Sequence, residues 1–185
     1  MEMKKLQTVD DLDFLLEKDE RFELINGQII KREFSRAEHG LLQGNVREEL
    51  SPVKRKKGVG GWWIMTEISV QYNEHQRPCH DLAGWRKHRL PKKPTGVMTL
   101  SPDWVCEITS PNHEKKDTIQ IFNILLNQKV PYYWIINPEQ KTLTVYKLIE
   151  NRYTTLCVYD CAEAFGKINL EPFEEVEFDL DYVFE

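Results

Sequence analysis

The sequence lacks the features of membrane and secreted proteins. No run of residues is long and apolar enough to cross a bilayer. The first residues lack the apolar segment of a secretory signal, so we expect a cytoplasmic protein. The four cysteines, Cys79, Cys106, Cys157 and Cys161, include no CxxC pair and are expected to be free thiols. A zinc site at Cys157 and Cys161 is disfavoured because no second ligand pair follows.

Several enzyme signatures are missing as well. The chain has no GxSxG nucleophile elbow, no P-loop and no HExxH metalloprotease motif. Positive charge is not in excess, since 25 Lys and Arg face 30 Asp and Glu, for a formal net charge of −5. This balance argues against a protein that coats DNA nonspecifically. It allows a nuclease whose binding surface is basic only locally.

The composition is that of a globular protein. A chain of 185 residues, of which 41% are hydrophobic, is long enough to bury a core. We find no internal repeat, no low-complexity segment and no linker. We therefore expect residues 1–185 to form a single domain.

Helical and strand patterns alternate along the chain. Thr8 is a suitable cap for a first helix, and Asn26-Gly27 between two apolar runs is a strong hairpin signal. The predicted elements are helix 8–20, hairpin 21–32, helix 36–51 ended by Pro52, strands 62–72, 81–85 and 104–109, helix 113–128, strands 132–136, 142–148 and 153–158, and a short strand and helix within 171–185.

The order of these elements predicts the fold class. A helix between the strands at 104–109 and 132–136 indicates a right-handed crossover and a parallel pair. The flanking hairpins indicate antiparallel pairing elsewhere, and the apolar run 132–136 is typical of a strand buried on both faces. We expect an α/β fold in which a mixed β-sheet is flanked by helices.

Two carboxylates stand out because each lies in a short apolar run. A carboxylate among apolar neighbours is costly to bury unless a cation meets it. On neighbouring strands, Asp81 and Glu107 would form a site for a hard divalent cation and would support metal-dependent phosphodiester chemistry. The alternatives are an ordinary strand-end residue for Asp81 and a buried salt bridge to Arg86 or Lys116 for Glu107.

These two acids belong to a longer pattern. The chain resembles the PD-(D/E)xK nuclease superfamily, and more closely its Uma-type family of putative restriction endonucleases. The resemblance covers nearly the whole chain and implies a restriction-endonuclease-like fold. The residues that carry it are 22–27, His39, 81–85, 101–111, Asp117, 130–138, 143–146, Pro172 and Phe173.

The resemblance implies a metal-dependent DNA endonuclease. It places Mg²⁺ (or Mn²⁺) ligands at Asp81 and Glu107, and it places Glu23 near the same site, acting through a water or a second metal. His39 is part of the pattern, although a histidine on a helix more often packs than binds a ligand. Double-strand cutting needs two active sites, so a homodimer is plausible.

The sequence departs from the family pattern at two places. His80 stands where the family usually has proline, and because proline shapes the backbone rather than the chemistry we expect the change to be harmless. The catalytic lysine is missing, since Thr109 lies two residues after Glu107 and Ile121 occupies the helix position where this family usually carries the lysine. Isoleucine can neither hold a proton nor stabilise charge.

Three outcomes are open for the missing lysine. Gln120 could orient the attacking water, although it lies about 100° around the helix from residue 121. Lys115 or Lys116 could reach the site from the first turn of that helix. If nothing replaces the lysine, the protein is an inactive relative that binds nucleic acid or protein, which is our alternative function.

A basic stretch directly follows Asp81 and supplies the predicted DNA contacts. Arg86, Lys87 and Arg89 are expected to grip backbone phosphates, which would position DNA without reading its sequence. The simpler interpretation of this stretch is solvated loop charge. The sequence thus predicts a cytoplasmic nuclease-fold protein that binds DNA and hydrolyses its phosphodiester bonds.

Overall fold

The structure, a computed structural model, describes residues 5–110, 116–163 and 166–185. Within these ranges the helices are α1 (Val9–Leu16), α2 (Ala37–Glu49), α3 (Ser51–Arg55), α4 (Phe122–Asn127) and α5 (Leu180–Val183). The strands are β1 (Phe22–Ile25), β2 (Gln28–Lys31), β3 (Trp62–Ser69), β4 (Cys79–Arg86), β5 (Trp104–Ile108), β6 (Tyr132–Asn137), β7 (Thr142–Ile149), β8 (Arg152–Asp160), β9 (Lys167–Asn169) and β10 (Glu177–Asp179). A π-helical segment, Lys116–Ile121, runs directly into α4. None of the helices in these ranges has the length and hydrophobicity that spanning a bilayer requires.

Six strands form the central sheet, in the order β3-β4-β5-β6-β7-β8. β5 and β6 are parallel, whereas the other neighbouring pairs in this sheet are antiparallel. The π-helical segment and α4 lie between the two parallel strands, as a crossover of this kind requires. The predicted α/β fold with a mixed sheet and flanking helices is therefore confirmed.

The central sheet is buried on both faces. One face carries a tryptophan-rich cluster, in which the rings of Trp104 and Trp134 meet edge to face with centroids 5.3 Å apart. The other face packs Tyr133 against the crossover residues Ile121 and Leu125. Because neighbouring residues of β6 enter different clusters, the prediction of a strand buried on both faces is confirmed.

The β1–β2 hairpin docks beside the start of β4. Asn26 (φ 50°) and Gly27 (φ 67°) both adopt left-handed conformations, which a two-residue hairpin turn requires. The backbones of Leu24 and Arg77 exchange hydrogen bonds of 3.1 and 2.8 Å. This docking brings Glu23 of β1 next to the first residues of β4.

Three predicted helices differ from those observed, and the first of them, predicted over 8–20, ends at Leu16. α2 ends at Glu49, and Pro52 lies in the first turn of α3 rather than ending the helix before it. Proline is well suited to a first helical turn, where its missing N–H needs no partner. The helix predicted over 113–128 is a π-helical segment followed by α4, and its first residues, 113–115, lie outside the described ranges.

Candidate active site

The backbones of β4 and β5 part at Asp81. Their paired ladder stops at Leu82 and Cys106, and carboxylates then replace backbone partners. The Asp81 N–H donates to Glu107 Oε2 at 3.3 Å, and the Ile108 N–H donates to Asp81 Oδ2 at 2.8 Å. The structure thus brings together, in one buried cluster, the two acids that the sequence singled out.

Glu107 is held by a buried hydrogen-bond chain. Its Oε1 lies 2.6 Å from His80 Nδ1, and His80 Nε2 lies 2.9 Å from the Tyr72 hydroxyl. Burial lowers the pKa of His80 to about 3, and the charge of Lys116 contributes a smaller part of this shift. The ring is therefore neutral. A neutral ring can donate to Glu107 and accept from Tyr72. Burial and then the charge of Asp81 raise the pKa of Glu107 well above its usual value.

Asp81 faces His39 of α2. The His39 Nε2 lies 3.3 Å from Asp81 Oδ1. Burial would lower the pKa of His39, but the carboxylates around it, Asp81 first, raise it above its usual value. Burial would raise the pKa of Asp81, but His39 and the Ile108 N–H hold it below its usual value. Each partner therefore stabilises the charged form of the other.

Glu67 of β3 completes a group of potential metal ligands. Donor atoms of His39, Glu67 and Asp81 all lie within 4.8 Å of one another. Gln43 fixes this arrangement, since its Nε2 donates to Glu67 Oε1 at 2.9 Å and to the Asp81 carbonyl at 2.8 Å. Glu67 adopts a left-handed φ of 49°, which is unusual for a glutamate within a strand.

Sequence reasoning missed Glu67. Apolar residues alternate along β3, and this alternation places Glu67 on the face that is predicted to be exposed to solvent. No sequence motif includes Glu67. Its conformation is visible only in the folded chain. A strained residue at a cluster of ligands is a reason to suspect function.

Glu23 and Lys116 meet at the same cluster. Glu23 is buried, and its Oε2 accepts from the Cys79 N–H at 3.1 Å. Its Oε1 lies 2.8 Å from Lys116 Nζ, at the start of the π-helical segment. Lys116 also lines the pocket that Asp81 and Glu107 line. The structure thus brings a lysine to the acids from a position other than the family's usual one.

The other positions considered for the lysine lie elsewhere. Ile121 is fully buried in the core, and Thr109 is buried with its N–H donating to the Ile136 carbonyl at 2.8 Å. Gln120 lies four residues after Lys116 and lines a separate groove, not this pocket. Lys115 lies outside the described residues.

The pocket over these residues holds about 100 Å³ and has a basic rim. Lys31 at the end of β2 lines it, together with Arg32 and Arg36 from the chain that leads into α2. The Arg32 Nη2 lies 2.5 Å from Glu67 Oε2. These cations were not identified from the sequence, because they lie 45–50 residues before Asp81 in the chain.

The basic stretch that the sequence favoured lies at the other end of β4. Arg86 is five residues from Asp81, which is about 17 Å along a strand. Its guanidinium lies 4.5 Å from the Trp62 ring centroid, and Arg89 Nη1 lies 2.7 Å from Asp103. Lys87 Nζ donates to two backbone carbonyls at 2.7 and 2.6 Å. Arg86, Lys87 and Arg89 are therefore held in internal contacts, and none of them lines the pocket.

The donor set fits a divalent cation. Carboxylate oxygens dominate it, as Mg²⁺ and Mn²⁺ prefer, and one imidazole is included, which Mn²⁺ also accepts. Within the described part of the chain, neither ring nitrogen of His39 has a partner in hydrogen-bonding geometry, although both are buried. Buried polar atoms are rarely left unpaired, so this ring is consistent with a ligand position.

Known proteins share a sequence profile and a fold with this chain. The sequence profile of a family described as "Uma2: Putative restriction endonuclease" matches residues 6–181. The fold is similar to that in a crystal structure of a putative nuclease belonging to DUF820 from Anabaena variabilis ATCC 29413, with a TM-score of 0.77 and 21% sequence identity. That match covers 96% of this chain and 97% of the other. No curated protein matches the chain.

Proposed function

Because this chain belongs to the Uma2 family of putative restriction endonucleases, we propose that it hydrolyses phosphodiester bonds in DNA with a divalent cation. The observation that carries the proposal is the convergence of Asp81, Glu107 and Lys116 on one pocket. Two acids and a lysine are the groups that metal-dependent phosphodiester cleavage uses. Here they come from three separate elements of the chain.

The metal ligands that we propose are Asp81 with Glu107, or Asp81 with His39 and Glu67. When bound, a divalent cation would polarise the scissile phosphate and lower the pKa of an attacking water. Asp81 belongs to both sets. One of its oxygens accepts from the Ile108 N–H, and the other faces His39. Burial and the charge of Asp81 raise the pKa of Glu107, and a cation bound nearby would lower it again.

Lys116 takes the place of the missing lysine in this proposal. Its ammonium group lies at the pocket, where it would offset the charge that develops on the phosphate in the transition state. In the structure Glu23 accepts its hydrogen bond. The flexible lysine side chain allows the ammonium to turn from Glu23 to a phosphate without moving the backbone.

In this proposal the basic residues at the rim of the pocket bind the phosphate group that is cut. Lys31, Arg32 and Arg36 line the same pocket as Asp81, whereas Arg86, Lys87 and Arg89 do not. Cations at the pocket mouth would position a phosphate group over the acids. The stretch 86–89 would then serve only as a more distant contact to DNA.

Plasmid nicking tests the proposal directly. Supercoiled plasmid is incubated with the protein and Mg²⁺ or Mn²⁺, next to the Asp81→Asn variant and to Glu139→Gln, an exposed acid in the turn after β6. We expect nicking that needs the metal, persists in Glu139→Gln and falls by about 10²-fold or more in Asp81→Asn. Equal nicking by all three proteins would mean a contaminant, and the proposal would fail.

A second candidate function is a binding module without catalysis. It is favoured by the burial of Thr109 and Ile121, since neither position can present an ammonium group to the pocket. Such a module would bind DNA without any metal, and its affinity would fall steeply with salt. Calorimetric titration of duplex DNA in EDTA at two salt concentrations separates it from the nuclease.

A further inference from the structure

A groove lined by amide side chains lies next to the candidate active site. It holds about 320 Å³, and its nine lining residues are Asn or Gln except for Ile119 and Ile124. None of these nine described residues is charged. We call this surface the amide groove. A neutral surface so rich in paired donors and acceptors is poorly suited to phosphate but well suited to hydrogen-bonding edges.

One wall of the amide groove is fixed by internal hydrogen bonds. Gln76 Nε2 donates to Asn26 Oδ1 at 2.5 Å, and the Asn26 N–H donates to Gln76 Oε1 at 3.0 Å. These bonds join the β1–β2 turn to the loop before β4. The wall is therefore preorganised, which lowers the entropic cost of binding.

The opposite wall offers amides that the protein does not use. It is formed by the π-helical segment and α4, and no hydrogen bond within the described ranges involves the side chains of Gln120, Asn127 or Gln128. Ile119, half exposed, adds apolar surface beside them. Donors, acceptors and an apolar side chain thus line this wall of the groove.

The amide groove and the pocket are lined by residues from the same two parts of the chain. β1 carries Glu23 in the pocket and leads to Asn26 in the groove, three residues or about 10 Å away. The π-helical segment likewise carries Lys116 in the pocket and Gln120 in the groove. Base pairs are stacked about 3.4 Å apart, so 10 Å corresponds to about three base pairs.

We infer that the amide groove contacts base edges of duplex DNA, about three base pairs from the phosphate held in the pocket, and favours A·T pairs there. This rests on the proposed function and adds a specificity surface to it. An amide side chain matches the N6 donor and N7 acceptor of adenine in the major groove. The exposed Ile119 suits contact with the thymine methyl group.

Selection from a random duplex pool tests the inference. The protein is incubated with the pool in Ca²⁺ rather than Mg²⁺, and bound duplexes are sequenced. For the wild type we expect about tenfold enrichment of A·T pairs within a short window. In the double variant Gln120→Ala and Asn127→Ala the enrichment falls below about twofold, while affinity for the unselected pool changes little because no phosphate contact is lost.

Gln140→Ala is the matched control. Gln140 is an exposed glutamine in the turn between β6 and β7 and does not line the amide groove. This variant keeps the full enrichment. Thermal unfolding of all variants, which change exposed or half-buried side chains, confirms that the fold is intact.

Three results would overturn the inference: no enrichment in the wild type, enrichment that survives in the double variant, or no binding to duplexes at all. The last is the result expected of a groove that binds a peptide instead. Plasmid nicking keeps this test separate from the proposed function. Nicking without base preference removes only the amide groove proposal, and base preference without nicking removes only the hydrolysis.

Discussion

Glu67 has a strained backbone conformation, and its side chain lies at the candidate metal site. A left-handed conformation costs a non-glycine residue about 1–2 kcal/mol, because Cβ crowds the following carbonyl. The conformation directs the carboxylate of Glu67 to His39 and Asp81, and Gln43 and Arg32 hold it there by hydrogen bonds. The network around the acids thus stabilises a backbone that the strand alone would avoid.

Substitutions at Glu67 test this strain. We expect the Glu67→Gly variant to be more stable than Glu67→Ala by about 1 kcal/mol, because glycine adopts φ near 50° without a Cβ clash. In an ordinary strand position the order is the reverse. Urea unfolding of both variants measures the difference. If alanine is the more stable, Glu67 is not strained in solution.

Lys116 is the residue on which catalysis depends in our proposal. We expect Lys116→Met to lower the single-turnover nicking rate by about 10²–10³-fold with little change in DNA affinity, because the stabilising charge acts in the transition state. The substitution also leaves the buried carboxylate of Glu23 without its cation.

A second substitution separates the two effects of removing Lys116. The double variant Lys116→Met and Glu23→Gln should recover stability in urea, since no uncompensated buried charge remains. It should stay slow in nicking. If Lys116→Met alone nicks within about threefold of the wild type, another group supplies the charge.

At the scale of elements, the π-helical segment decides which side chain reaches the pocket. Lys116 at its start faces the acids, whereas Ile121 at its end is fully buried in the core under the sheet. A π-helical turn holds more residues than an α-helical one, so it changes the direction in which the following side chains point. Such turns are frequent at functional sites.

Restoring a lysine at the family's usual position is therefore expected to fail. Ile121→Lys places an ammonium group in an apolar core and should lower the free energy of unfolding by about 3 kcal/mol or more. Ile119→Lys is the matched control, because Ile119 is 50% exposed in the same segment, and it should stay within about 0.5 kcal/mol of the wild type. Urea unfolding compares the two. A stable and faster Ile121→Lys protein would contradict this packing.

At the scale of the whole molecule, the candidate site exists only in the folded chain. Its residues come from β1, α2, β3, β4, β5 and the π-helical segment, which are distant in sequence. The unfolded chain therefore holds no preformed metal site. A cation that binds only the folded state stabilises it by mass action.

Metal binding should consequently raise the melting temperature. At a Mn²⁺ concentration of about 100 times Kd the gain is about 2.7 kcal/mol, which corresponds to about 5–10 °C for a chain of this length. Calorimetry in EDTA and in Mn²⁺ measures the shift. We expect the shift to disappear in Asp81→Asn and to persist in Glu139→Gln. Equal shifts in both variants would place the cation elsewhere.

The fold could be predicted from the sequence because its signals are local. Apolar periodicity marked the sheet strands, Asn26-Gly27 marked the hairpin, and the helix between two strands marked the parallel pair. Asp81 and Glu107 were also visible, because a carboxylate in an apolar strand is costly to bury without a cationic partner. Pro52 was misread because proline begins a helix as readily as it follows one.

The rest of the site depends on contacts that no local pattern encodes. Only the folded chain shows that Glu67 turns toward His39, that Lys116 faces the acids while Gln120 faces another groove, and that Arg32 lies nearer the pocket than Arg86 does. Hydrophobic patterning acts over a few residues, so the sequence alone was enough to predict the strands and the two buried acids. The distant polar groups that meet those acids are set by strand register, helix turn and docking of the hairpin, which arise only when the chain folds.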